Sequence, residues 1–194
     1  GYKFEGTQSP LKEAITSTSS LLTILATLTA TYVASKLFND WREQHNKSVR
    51  NEFSLETYKR FSDFDQSITL CAFDIDSLQD SIADAEYHIT AGTPAYMNCL
   101  PNIQKLFDSL HLVKFNFNNY LHAQRAYGAV TGQVDEIQED LMLHISEYSG
   151  IIKNNLNNFD NVQDLINKAS KELSQYSDLS LKIYESNIKG ILKH

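Results

Sequence analysis

The sequence predicts an all-α protein, an N-terminal transmembrane helix followed by an antiparallel helical bundle of about four long helices. Three observations predict it. Residues 14 to 35, AITSTSSLLTILATLTATYVAS, carry no charge, and that is about the length a helix needs to cross a bilayer's hydrocarbon core. Beyond that run, apolar residues recur in steps of three and four, the period of a helix with one buried face. The 194 residues include only 7 Gly and 3 Pro, gathered at a few places, which leaves long stretches without breakers. The chain accordingly divides into an N-terminal tail (1–13), a transmembrane helix (14–35), a basic juxtamembrane segment (36–50) and a cytoplasmic helical bundle (51–194).

Ser9-Pro10 reads as a helix start, with Ser as N-cap and Pro at the first helical position. Ten residues of the following uncharged run are Ser or Thr, so its hydropathy is modest for an anchor, and a buried core helix of a soluble bundle is the competing reading. Two features favour the membrane. A soluble amphipathic helix keeps a charged outer face, and this run has none. Tyr32, Lys36, Trp41 and Arg42 stand at its far end, where aromatic and basic side chains suit the headgroup region.

Orientation follows from the basic residues. The tail offers Lys3 and Lys12, offset by Glu5 and Glu13, whereas Lys36, Arg42, Lys47, Arg50, Lys59 and Arg60 follow the run. The positive-inside bias places the C-terminal domain of a single-pass protein in the cytoplasm. No basic region directly precedes the apolar stretch, so the expectation is a retained anchor and not a cleaved signal peptide.

No Pro or Gly follows Pro10 until Gly92. Phe61, Phe64, Ile68, Cys71, Ile75, Leu78, Ile82, Ala85 and Ile89 form one helical seam, which the span enters almost unbroken, with Asn39-Asp40 or His45-Asn46 as the place for a join. Ala91-Gly92-Thr93-Pro94 ends that helix. An apolar connection leads to Pro101-Asn102, the expected start of the next helix, seamed by Ile103, Leu106, Phe107, Leu110, Val113, Phe117, Tyr120, Leu121 and Tyr127. Gly128 to Gly132 breaks it. Val134, Ile137, Leu141, Ile145, Tyr148 and Ile152 mark another helix, which ends in an Asn-rich stretch. The last runs from about Val162 through Leu165, Ile166, Ala169, Leu173, Tyr176, Ile183, Tyr184 and Ile188. Short connections make such neighbours antiparallel, and a four-helix bundle results.

Net charge is −7. Residues 1–50 hold six basic against four acidic residues, leaving eleven against twenty beyond them. So acidic a domain argues against nucleic acid as main partner. Cys71 and Cys99 are lone thiols expected to stay reduced in the cytoplasm, with Cys71 simply part of the core seam.

Candidate chemistry is sparse. Asp108/His111, Asp84/His88 and Asp140/His144 have spacings that put each pair on one helical face, but a di-iron carboxylate bundle needs Glu-x-x-His on two helices, and none occurs. Glu136, Asp140 and His144 read as an ordinary outer face, and no metal or cofactor is expected. His122 and Arg125 stand three apart, yet no Arg is followed five positions later by His, the pair used by helical nucleases of the HEPN type. No phosphate-binding Gly-rich loop or Gly-x-Ser-x-Gly elbow is present. The chain is therefore read as a non-enzyme.

The most informative pattern lies in the span. Thr16, Ser20, Thr23, Thr27, Ala30 and Ala34 follow one another in steps of four, three, four, three and four, which is one continuous small-residue face. Small residues let membrane helices approach closely, and hydroxyls can bond across the contact; in a larger ring the same face lines a narrow wet pore. Against this, Ser and Thr can bond back to their own helix.

The span, the Trp41-Arg42 junction and a helical domain of this size together resemble small bacterial single-span membrane proteins, among them phage-defence membrane effectors such as the pore-forming accessory protein of some CRISPR systems with an RNA-guided RNase. The resemblance is one of architecture. It implies a membrane-anchored oligomeric effector or pore-forming subunit, self-associating in the bilayer, whose bundle senses or binds a cytoplasmic protein partner. A non-conducting membrane-anchored scaffold is the alternative, and a soluble bundle with residues 14–35 as core the third reading.

Overall fold

The protein is described by a computed structural model over residues 10–83, 89–152 and 158–191. Four helices account for nearly all of it: α1 (Pro10–Ile82), α2 (Pro94–Thr131), α3 (Val134–Ile152) and α4 (Val162–Ile183), the last continued by a π-helical turn (Tyr184–Ile188) and a final α turn (Lys189–Ile191). No strand occurs among the described residues. The chain divides into two units, Gly1–Ser48 and Val49–His194, and α1 contributes to both.

In the first unit the described residues are all helical. The helix passes through Asn39-Asp40 and His45-Asn46 without interruption, in keeping with the nearly unbroken course read from the sequence, and neither place for a join is used: local propensity at two weak helix formers is a fraction of a kcal/mol each, too little to break a helix carried from both sides. Within the Thr-rich run the hydroxyls donate to carbonyls one turn back, at 2.7–2.9 Å for Thr16, Thr18, Ser20, Thr23, Thr27, Thr29 and Thr31, a local bond that satisfies each hydroxyl without leaving the helix.

The second unit is an up-down-up-down bundle built from residues 49–82 of α1 with α2, α3 and α4. The direction of each helix follows from paired contacts. Phe64 meets Phe117 with ring centroids 5.2 Å apart, Asp74 meets Lys105 at 3.4 Å and Ser81 Oγ reaches Cys99 Sγ at 3.8 Å, so α1 and α2 are antiparallel. Ser180 Oγ donates to Asp65 Oδ1 at 2.7 Å and Gln79 pairs with Gln163, so α1 and α4 are too. Phe117 meets Tyr148 (4.5 Å) while Gly128 faces Ile137, so α2 and α3 are antiparallel, and α4, which runs with α2, is antiparallel to α3 as well; Tyr148 and Tyr176 (6.1 Å) complete an aromatic layer through the centre.

Each seam read from the sequence faces this core. Phe64, Cys71, Leu78, Leu106, Val113, Phe117, Tyr120, Leu165, Ala169, Tyr176 and Ile183 are fully enclosed. Tyr184 is the exception; it stands exposed at the start of the π turn. Ala85, the pair Asp84/His88 and the side chains of Val134, Glu136 and Ile152 lie outside the described residues.

Two boundaries differ from expectation. α1 ends at Ile82, not at Ala91–Pro94. α2 begins at Pro94, about two turns before Pro101. Both prolines carry the start signal of a first helical position, but Thr93 accepts from the Tyr96 N–H at 3.2 Å, and a satisfied N-cap decides between them. The stretch expected as an apolar connection is thus helical, and it buries Cys99. At the other end Gly132, at φ 76°, caps α2 by donating its N–H to Gly128 O at 3.0 Å, the left-handed stop that glycine adopts without strain. Asn161 caps α4 through the Asp164 N–H at 2.9 Å, and the Val162 N–H reaches Ile89 O at 3.0 Å.

Candidate functional site

Residues 12–48 of α1 have no buried side chain. Leu21, Leu22, Ile24, Leu25 and Leu28 are each 56–62% exposed, values otherwise typical of an isolated helix. The helix places Thr16, Ser20, Thr23, Thr27, Ala30 and Ala34 along one exposed face. Its four hydroxyls all donate to their own backbone, which satisfies each proton and leaves the oxygen lone pairs outward as acceptors. The face is small and weakly polar, with no hydroxyl proton left over for a neighbour.

At the far end Tyr32, Lys36, Trp41 and Arg42 are exposed. Trp41 stacks on His45 with ring centroids 5.3 Å apart and planes within 7°, and lies 6.1 Å from Phe38. Phe38, Trp41 and His45 thus form an aromatic ridge beside the basic residues. Their three-and-four spacing is visible in the sequence, although Phe38 and His45 were not read as part of the interface set.

In the bundle the suggested chemical pairs of α2 stand on its surface. Asp108 accepts from Gln104 Nε2 at 2.9 Å, and Asp108, His111, His122 and Arg125 are exposed. Among the described residues no group of three or more His, Cys, Asp or Glu side chains is arranged to hold a metal. Both cysteines are free and buried. Burial pushes the Cys71 thiol up to about 11, against a hydrogen bond from Ser109 that lowers it; a thiol so seldom ionised is a poor nucleophile.

One assignment is corrected. His144 is no part of an outer face; it is 2% exposed, while Asp140 is half-buried. The stripe Asp140–His144 rolls under the edge of α3 because α3 packs on both α2 and α4, which widens its covered arc. Burial holds the His144 imidazole below its ordinary value, with Asp140 and Glu147 pulling the other way and Lys182 with it. Gln124 and Glu172 are likewise buried polar residues that the sequence pattern did not single out. Their signal is only a polar residue on or beside an apolar seam, three residues after Leu121 on α2 and immediately before Leu173 on α4.

No protein-family profile, curated protein or solved structure matches the chain.

Proposed function

We propose that the protein is anchored in a membrane by residues 14–35 of α1 and self-associates there as an oligomeric effector or pore-forming subunit, its bundle serving as a cytoplasmic sensing or partner-binding domain. One observation carries the reading: a long uncharged helical stretch whose apolar side chains are all exposed, next to a bundle whose own helices bury theirs. Each Leu or Ile moved from water to hydrocarbon gains roughly 1.5–3 kcal/mol. The hydroxyls, the obvious objection, enter lipid with their donors already bonded to the helix, which removes most of the penalty for an unpaired polar group.

The small-residue face from Thr16 to Ala34 supports close packing against another copy, and Tyr32, Lys36, Trp41 and Arg42 sit at headgroup depth. The basic residues after the span favour an inner-membrane orientation with the bundle in the cytoplasm. The architecture resembles phage-defence membrane effectors. The exposed, unclustered polar residues of the bundle favour a non-catalytic role, and its acidity favours a protein partner over nucleic acid. The back-bonded hydroxyls favour one second reading, a non-conducting anchored scaffold, since a dry helix contact asks less of Thr23 and Thr27 than a water-filled one.

Carbonate washing of membranes and the mass of the detergent-solubilised particle test the proposal. The full chain should stay with the membrane and run as a multimer. Recovery of a detergent-free soluble monomer overturns it.

A further inference from the structure

α3 is the bundle helix with the fewest apolar anchors. Among the described residues it buries three apolar side chains, Leu141, Tyr148 and Ile151, where α4 buries eight. A fourth buried side chain stands in the middle of that seam. Leu141, His144, Tyr148 and Ile151 follow in steps of three, four and three, so the helix turns an imidazole into the core together with its anchors. Elements with few buried apolar contacts are the ones that open locally, at less than the free energy of global unfolding.

The ring sits where it can be neutral but not charged. Its Nδ1 is sealed from solvent and has no hydrogen-bond partner. In the neutral ring that nitrogen can stay bare, with the proton on Nε2, whereas the imidazolium carries an N–H on both nitrogens. Protonation therefore puts a charge and an unpaired donor in one closed place, and both penalties fall on α3.

The surrounding charges do not relieve this. Asp140 and Glu147, on α3 itself, favour the proton, Lys182 on α4 opposes it, and α2 adds no charge to those that act on the ring; burial outweighs them all. Glu147 is already engaged by Lys182 at 2.6 Å. Among the described residues no ion pair joins His144 to Asp140 while the helix is packed. On a lifted α3 the imidazolium reaches water, and Asp140, one turn before it, faces it at the favourable i, i+4 spacing.

We propose that α3 is an acid-released helix: as pH falls, proton uptake by His144 draws α3 away from α2 and α4 while the other three helices stay packed, and Phe117 and Tyr176 are uncovered where the Tyr148 ring leaves them. The inference concerns the bundle alone and does not rest on the membrane reading. The released face gives the bundle an apolar surface that it lacks at neutral pH.

Hydrogen exchange of the full chain in detergent tests this, read by mass spectrometry at about pH 7 and about pH 5.5, with labelling times scaled to the intrinsic rate. An open form that takes up the proton at about 6.5, against a closed form that resists it, gains up to about tenfold in population at the lower pH. Amides of residues 141–151 should lose protection several-fold, toward that limit, while those of α4 and of residues 103–121 of α2 should not. His144→Leu and His144→Gln, which take up no proton in this range, should each abolish the difference, and His111→Gln on the exposed face of α2 should keep it. Equal loss of protection in all the helices, no loss in α3, or a loss that persists in a folded His144 variant overturns the proposal. Should His144→Leu fail to fold, His144→Gln, which keeps a polar group in the seam, carries the same decision.

Discussion

Lys114 and Glu172 meet across the diagonal of the bundle, with Nζ 3.0 Å from Oε1, and while the lysine side chain keeps 26% exposure the glutamate keeps none. The lysine therefore runs its methylenes along the core and delivers its ammonium to a carboxylate that water does not reach. Neither carboxylate oxygen receives a hydrogen bond, so the contact with Lys114 is an ion pair held by charge alone. Desolvation, then the negative charge of Glu172, pushes the Tyr176 hydroxyl well above the ordinary tyrosine range. An ion pair held this way is costly to break and contributes little over an apolar pair of the same volume.

The energetic consequence separates the two halves of that statement. Lys114→Met alone leaves a buried charge without a partner and should lower unfolding free energy by about 3 kcal/mol. Lys114→Met combined with Glu172→Leu should return to within about 1 kcal/mol of the parent. Denaturant melts of the four proteins in the cycle give both values. A single variant as stable as the parent would show that Glu172 is compensated by something other than Lys114.

His144 gives the bundle a pH dependence with a definite sign. Its imidazole is held below 6.5 in the folded protein, chiefly by burial. The unfolded chain therefore takes up a proton as pH falls through about 6.5 while the folded chain does not, so stability falls below that pH. The loss levels off once pH passes the folded value. Asp164, whose carboxyl is held below its usual range by Lys168, also loses stability on acidification, but below about pH 4. His144→Leu should flatten the stability profile between about pH 7 and 5 and leave the acid limb. Thermal melts at stepped pH check this; a parent protein with constant stability through that window would refute it.

Gly128 of α2 packs directly against Ile137 of α3. A Cβ there would lie 3.1 Å from Ile137 Cδ1 and 3.4 Å from its Cβ and Cγ2. Alanine would gain about 1 kcal/mol of helix propensity, but the Ile137 Cδ1 must give way in a buried contact to admit it, and overpacking typically costs about 1–3 kcal/mol. Gly128→Ala should therefore destabilise by about 1 kcal/mol. Adding Ile137→Val, which removes the nearest carbon, should recover most of it. A more stable single variant would mean that α3 yields freely.

How much of this was legible in the sequence depends on what each feature rests on. The core seams were readable because Phe64, Leu106, Val113, Leu165 and Tyr176 repeat at helical spacing, and nothing local competes with that pattern. The start of α2 was misplaced because Thr93-Pro94 and Pro101-Asn102 carry similar signals, and only the cap made by Thr93 distinguishes them. The buried His144, Gln124 and Glu172 were invisible for another reason. Burial of a polar residue depends on how far a neighbouring helix overlaps, which no single-helix pattern encodes. The π turn at Tyr184–Ile188 is a one-residue change in hydrogen-bond register and leaves no compositional mark. The small-residue face of α1 was fully readable as spacing, because each member is set by helix geometry alone.

That face allows a direct test of what α1 does in a bilayer. Thr23 and Thr27 are exposed, one turn apart, and each donates its hydroxyl to its own helix at 2.8 Å. A lysine at the bilayer centre costs a few kcal/mol unless it faces water or a partner. If these residues line a pore, Thr23→Lys and Thr27→Lys should preserve membrane insertion and shift ion selectivity toward anions. If they form a dry contact between copies, the same changes should dissociate the oligomer, Thr→Ala should be mild because small size is what packing needs, and Thr→Leu should disrupt it through bulk. In a monomeric anchor none of these variants should alter particle mass. Proteoliposome dye release and particle mass, measured on the same variants, separate the cases. Leakage that follows substitutions on the Thr23/Thr27 face supports a conducting effector. A stable oligomer whose mass follows those substitutions, and which stays sealed when the bundle is engaged by its partner, supports the scaffold.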